Sequence, residues 1–356
     1  MTIYVGLILG AIIFAWIFRG TVPQNKKYII FAVGMLFLVL ALRDIRVGSD
    51  LGRYQTHYTT CSTLSWPRVF DMYEWNCIGF YCLNKIHSMI FGYNYHSFLA
   101  LLAIFEGTVI AYFIYKLSVN PMLSIILYMA MGYYAFAFSG LKQALAITFI
   151  MLAMIAITEQ KLLRFIVLTC VAASIHLPAI IFIFAYFIAK LELNKRKLFL
   201  WVGFLVVMFA FRGQIAALLS DMYDSPVEMT GISGIGGKAL MMTLFVLLGF
   251  IFRTPSKLHP TYQACFNFML IAVALQYLAV YGNVFERLAD YYFIFFVLYI
   301  PLVFQRVEEW EPNEKSYFKI SSNSRWIMDS VIVVVLVFYF YLTTSATPGI
   351  VPYSMY

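Results

Sequence analysis

The sequence predicts an all-α, polytopic integral membrane protein with about twelve transmembrane helices. Three observations carry that expectation. The 356-residue chain is 63% hydrophobic and 12% charged, with a mean hydropathy of +0.83, whereas a soluble domain is about 45–50% apolar. Apolar runs recur at lengths near one bilayer crossing, about 20 residues, shortened where helices tilt or pack. Lysines and arginines gather between those runs, as they do in the cytoplasmic loops of membrane proteins. Because most residues then face lipid or other helices, residues 1–356 are expected to form a single integral-membrane domain.

The first helix is expected near 3–18, within MTIYVGLILGAIIFAWIFRG. Lacking a basic n-region and a small-residue cleavage site, it reads as a retained helix rather than a signal peptide. Helices follow near 28–42, 95–115, 121–138, 142–158 and 162–175, then 178–190, 198–211, 239–252, 260–281, 288–304 and 326–343. The segment Trp75–Phe91 carries Asn84, Lys85 and His87 within one helical length, which suits an amphipathic helix lying at the interface. As one helix, Pro121 to Thr158 would run roughly 57 Å, nearly two crossings. The chain is therefore expected to turn at Ser139–Gly140, with Lys142–Gln143 opening the returning helix.

Charge sets the orientation. Sixteen of the 25 Lys and Arg residues fall in loops that can share the cytoplasmic side: Arg19/Lys26/Lys27, Lys116, Lys161/Arg164, Lys190/Lys195/Arg196/Lys197, Arg253/Lys257 and Arg306/Lys315/Lys319/Arg325. Both termini then lie outside, and parity closes only if Trp75–Phe91 does not span; if it spans, everything after it inverts. External loops are expected at 43–94, 139–141, 176–177, 212–238 and 282–287. A plain connector is usually short, so 43–94 and 212–238 need a reason. The latter ends in a glycine cluster that suits a mobile lid or a flexible linker. This topology also explains the net charge of +8 without nucleic acid as a partner.

Arg43 to Tyr58, RDIRVGSDLGRYQTHY, places three arginines and two aspartates at the mouth of a helix, where charge is tolerated at the water boundary. Lys142 is either an interfacial snorkelling residue or a functional cation. His176 falls in a turn from Ser174 to Leu177, with Pro178 suited to the first turn of the next helix, and is either hydrogen-bonded in place or catalytic. In NVFERLADYYF, Arg287 and Tyr291 are i,i+4 neighbours, as are Glu286 and Asp290; Arg287 either pairs with one of those acids or serves a ligand. Glu106, in mid-helix, is a core hydrogen-bonding group or part of a polar cavity.

Several cations without matching buried acids suit an anion. Guanidinium forks match phosphate oxygens, and an apolar tail at the same depth makes a lipid diphosphate a better fit than a soluble anion. Arg287, Arg43, Lys142 and Arg46 are its candidate ligands. His176, whose unperturbed imidazole titrates near neutrality, is the first candidate for a general base and Asp50 the second. Tyr54, Gln143 and Tyr291 are candidates for orienting sugar or phosphate.

Other chemistries lack their signatures. GISGIGGK has Ile232 and is followed by Ala239 where a P-loop requires Gly and Ser/Thr, and there is no DxD, HExxH or GxSxG. Glu308–Glu311 reads as a solvated cytoplasmic loop. The five cysteines show no metal spacing; Cys61 with Cys77 or Cys82 could bridge in an oxidising compartment. No metal or other cofactor is expected.

In order and spacing, LRDIRVGSDLGRY, FSGLKQALAI, ASIHLPAI, FERLADYY and VPYSMY resemble the EpsG-type branch of the Wzy polysaccharide polymerases. The first motif matches at Arg43, Gly48, Asp50 and Tyr54, the third at His176, and the fourth at Arg287 and Tyr291. The second departs, with Lys142-Gln143 in place of Arg-Gln, which keeps the charge but loses the bidentate fork. The resemblance implies a GT-C-like glycosyltransferase with its active site on the external face of the bacterial inner (plasma) membrane. It would polymerise undecaprenyl-diphosphate-linked oligosaccharide repeats, without a nucleotide, beside membrane lipid and a chain-length-regulating co-polymerase. An O-antigen-ligase-type transferase, a lipid-linked oligosaccharide flippase and an O-acetyltransferase are the alternatives.

Overall fold

The computed structural model describes residues 1–18, 22–73, 77–192, 237–251, 260–279, 283–308 and 322–356, with single positions between 203 and 217. Most of the expected helix 198–211 and of the expected lid 212–238 lies outside the described residues. What is described is all-α, apart from a 3-10 stretch at Leu177–Phe184 and an isolated antiparallel bridge between Arg43 and Met355. It divides into two compact units, Met1–Ile180 with Trp310–Tyr356, and Ile181–Glu309.

The first unit opens with α1 (Thr2–Ile17) and α2 (Val22–Ala41); the stretch 43–94 then holds two helices that were not expected, α3 (Leu51–Thr63) and α4 (Trp66–Tyr73), and α5 (Ile78–Phe91), within the helix expected at 75–91. Then come α6 (Tyr95–Leu117), α7 (Pro121–Ala130), the short α8 (Tyr133–Phe136), α9 (Leu141–Thr158) and α10 (Leu162–Ile175). Local chemistry fixes several ends. Asn94 Oδ1 accepts from the Ser97 N–H at 2.9 Å and Asn120 Oδ1 from the Leu123 N–H at 3.1 Å, capping α6 and α7, with Pro121 in the first turn of α7. Lys161 and Arg164 both reach Glu159 in the α9–α10 turn, at 2.9 and 3.0 Å. The expected helix 121–138 is broken: α7 ends at Ala130, the chain turns through Met131–Gly132, and the bend at Ser139–Gly140 follows α8.

In the second unit the 3-10 stretch runs into α11 (Ala185–Ile188), followed by α12 (Gly237–Ile251), α13 (Pro260–Leu278), α14 (Asn283–Phe293) and α15 (Phe296–Glu308). Asn267 on α13 donates to the Ile188 and Leu191 carbonyls at 2.7 and 2.9 Å, satisfying the end of α11. The chain returns to the first unit with α16 (Ser322–Ala346), which packs on α7 and α1.

Among the described residues, Tyr95–Leu117, Leu141–Thr158 and Thr261–Leu278 are long and apolar enough to cross a membrane, and six shorter helices are similarly apolar. Large side chains such as Leu9, Trp16, Phe31, Leu38, Ile104, Val334 and Phe338 point outward, an arrangement that water disfavours and lipid accepts. All five cysteines are free thiols.

Candidate functional site

The site is built around the loop that leaves α2. This stretch, RDIRVGSD, has no helix to satisfy its backbone, so its polar groups need partners elsewhere. They find them in the residues after α16. The Asp44 N–H donates to the Ser354 carbonyl at 3.0 Å, the Gly48 N–H to Gly349 at 2.8 Å, and the Tyr356 N–H to Leu42 at 3.1 Å. Tyr353 Oη donates to the Val39 carbonyl and Tyr4 Oη to that of Ile350, each at 2.8 Å. VPYSMY therefore clamps the first motif, a role its sequence did not disclose.

Gly48 closes the loop on the turn before α9. Its φ is +137°, and a Cβ there would overlap the Phe138 carbonyl oxygen, so the position demands glycine. The Ser49 N–H donates to Ser139 Oγ at 3.1 Å. Arg43 reaches the same turn, donating to the Ala137 carbonyl at 3.1 Å with its guanidinium 5.2 Å from the Phe138 ring centre. It is 2% exposed. Burial lowers its guanidinium to about 10, opposed by Glu106, so it remains charged at neutral pH. Its Nε has no partner among the described residues. Glu106 is thus a buried acid within electrostatic reach of Arg43.

Arg46 and Asp50 are different. Arg46 is exposed and pairs with Asp44 at 2.8 Å, holding that carboxyl below its usual range. Asp50 starts α3 without capping it and lies 3.5 Å from the exposed Arg53.

Lys142, in the first turn of α9, enters an aromatic box. Its ammonium donates to Tyr81 Oη at 2.7 Å and sits 4.4, 5.8 and 6.0 Å from the ring centres of Tyr81, Phe80 and Tyr54. No carboxylate lies within ion-pairing distance of it among the described residues. Tyr81 stacks on Tyr73 with ring centres 3.7 Å apart, and the Tyr73 hydroxyl is 3.4 Å from His57 Nδ1. Burial first, then Lys142 and Arg53, lower the His57 imidazole below its ordinary value, so it is neutral at pH 7. Tyr54 was singled out from sequence, whereas His57, Tyr73 and Tyr81 were not. His57 and Tyr54 are three residues apart on one amphipathic helix, the one signal that would have found it.

His176 caps the C-terminal end of α10, and its carbonyl accepts from the Ala179 N–H at 2.9 Å. The pair α9–α10 is joined by residues 159–161 and packs side by side. The start of α9 and the end of α10 therefore share one end of the pair, which places His176, Lys142 and Gln143 there. His176 and Gln143 are 8% and 4% exposed, and both are engaged by neighbours. A Cβ at Gly79 would overlap the Ser174 side chain, so glycine is what lets α5 lie against α10 just before His176.

In the second unit, α14 carries Arg287 and the fully buried Tyr291. Lys238, from the first turn of α12, reaches Glu286 and Asp290, both at 3.0 Å. Lys238 thus shares the acids that sequence offered to Arg287, which also acts electrostatically on Asp290. Removing one member of such a partly buried cluster strands the others. Lys238→Met is expected to lower stability by about 1–3 kcal/mol, read as a drop in melting temperature in detergent, with Lys238→Arg recovering most of it.

Arg43, Arg46, Asp50, Tyr54, Lys142, Gln143 and His176 belong to the first unit, and Arg287 and Tyr291 to the second. Among the described residues no group of three or more His, Cys, Asp or Glu side chains could hold a metal ion. No curated protein and no solved structure matches the chain. Residues 26–355 match the model of the EpsG family.

Proposed function

The chain belongs to the EpsG family, and on that premise we propose that it polymerises undecaprenyl-diphosphate-linked oligosaccharide repeats on the external face of the bacterial inner (plasma) membrane. The observation that carries this reading is Lys142, a cation without a carboxylate partner among the described residues, at the mouth of a long apolar helix. Such a group suits an anionic headgroup whose tail lies among helices. A GT-C-like arrangement of about twelve spans, with the site outside, belongs to the same proposal.

In the reaction, a hydroxyl oxygen at the non-reducing end of the incoming repeat forms a bond to the anomeric carbon of the growing chain. The bond from that carbon to the diphosphate breaks, the lipid diphosphate leaves, and the hydroxyl proton passes to a base. Lys142 neutralises the charge that develops on the leaving group, where fixed cations in a dry site act most strongly; Arg287 is a separate candidate for that role. Arg46 would join them by leaving Asp44. Arg43 contributes its field from within the fold while holding the 137–140 turn. His176 takes the proton, with Asp50 the second choice; Tyr54, Gln143 and Tyr291 orient sugar or phosphate.

The test is turnover of a defined lipid-linked repeat by the purified protein in vesicles. A ladder of products is expected. A single transfer without a ladder indicates a ligase, and lipid movement without bond formation indicates a flippase; either result overturns the proposal. Within it, His176→Ala is expected to cut polymer formation by about 10²–10⁴-fold, the usual contribution of a positioned base. Wild-type polymer length and yield from that variant would remove His176 from the mechanism.

A further inference from the structure

The cluster of His57, Tyr73, Tyr81, Cys61 and Asn84 has no part in the chemistry assigned above, yet it adjoins Lys142. Its members come from three helices: α3 supplies His57 and Cys61, α4 supplies Tyr73, and α5 supplies Tyr81 and Asn84. Their polar atoms form a connected seam. Lys142 donates to Tyr81 Oη, Tyr81 stacks face to face on Tyr73, and the Tyr73 hydroxyl meets His57. Cys61 adjoins Tyr73 and Asn84. Asn84 is fully buried, and the Cys61 thiol is its hydrogen-bonding neighbour, as a buried amide ordinarily requires.

Apart from the ammonium, the seam is uncharged. It offers phenol hydroxyls, an imidazole and an amide, groups that both donate and accept, beside aromatic rings. A sugar presents the matching surface, with hydroxyls around its edge and apolar C–H faces. His57 and Lys142 are the half-exposed members, so access lies on their side.

We infer that this seam is a subsite for an uncharged pyranose, the sugar bonded directly to the diphosphate, with His57 and the Tyr73 hydroxyl as its hydrogen-bonding contacts. The assignment rests on the proposed function: with Lys142 on the diphosphate, the group one bond away is that sugar.

The experiment measures steady-state polymerisation of the lipid-linked repeat by the full-length protein in vesicles, comparing wild type with His57→Ala, His57→Gln and Tyr73→Phe. KM is expected to rise at least tenfold in His57→Ala and Tyr73→Phe, with kcat within about threefold of wild type and partial recovery in His57→Gln. A misfolded fraction would lower apparent kcat and leave KM alone. Competition separates sugar from phosphate. The unphosphorylated repeat-unit oligosaccharide should inhibit wild type and lose at least tenfold in potency against His57→Ala, while inorganic pyrophosphate should keep its potency. An unchanged KM in both His57→Ala and Tyr73→Phe, or a loss of pyrophosphate rather than oligosaccharide inhibition, overturns the subsite. Absence of polymer from the wild-type protein overturns the polymerase reading instead.

Discussion

Replacing Lys142 with methionine is expected to reduce polymer formation by about 10²–10³-fold, the range found when one donor to a developing negative charge is removed. The physical reason lies in its surroundings. Three aromatic rings within 6.0 Å and a phenol at 2.7 Å hold the ammonium where water competes poorly, and no carboxylate neutralises it among the described residues. Methionine preserves chain length and apolar contact while removing the charge, so stability in detergent should hold even as activity falls. Lys142→Arg should keep most of the activity, because the guanidinium retains the positive charge. Polymer made per mole of protein from a defined lipid-linked repeat is the measurement. Activity within threefold of wild type in Lys142→Met would end the leaving-group assignment.

The second large effect is expected at Gly48. Any side chain here must adopt a φ of +137° and meet the Phe138 carbonyl oxygen, so Gly48→Val combines backbone strain of about 1–3 kcal/mol with steric overlap. The loop and the 137–140 turn would separate, releasing the hydrogen bond from Ser49 to Ser139 and the contact of Arg43 with Ala137. Lower melting temperature, faster proteolysis within 43–50 and loss of polymer should appear together. Gly52→Ala is the control. A Cβ at Gly52 meets nothing within 4 Å and the residue lies in a helix, where alanine is favoured by up to about 1 kcal/mol.

The helices were legible where long apolar runs had clear ends. Tyr95–Leu117 starts at its asparagine cap and carries Lys116 in its last turn, and Leu141–Thr158 and Leu162–Ile175 flank a charged turn. The turn before Lys142 could be read because one unbroken helix would have been too long for a bilayer. Three features escaped. α3 and α4 are short and polar, so neither hydropathy nor length distinguished them from loop. The break at Met131–Gly132 lies within an apolar run whose composition gives no warning. The pairing of residues 349–356 with 39–49 is a long-range backbone contact, which local pattern does not encode.

At the site, charge and residue type identified Lys142 and His176 as candidates, and the structure places both at one end of the α9–α10 pair. Charge alone did not separate Arg43, buried against a carbonyl, from Arg46, paired on the surface with Asp44. Burial made that distinction, and burial depends on neighbours far away in sequence. Lys238 was read only as the end of a lid, because its acidic partners lie 48 and 52 positions further on.

Tyr353 and Val39 are 314 positions apart, which bears on biosynthesis. Ribosomes add about 5–20 residues per second, so the loop bearing Arg43 and Gly48 emerges roughly a quarter of a minute to a minute before the tail that fastens it. During synthesis the nascent protein therefore holds its first helices before the backbone hydrogen bonds of this loop can be completed.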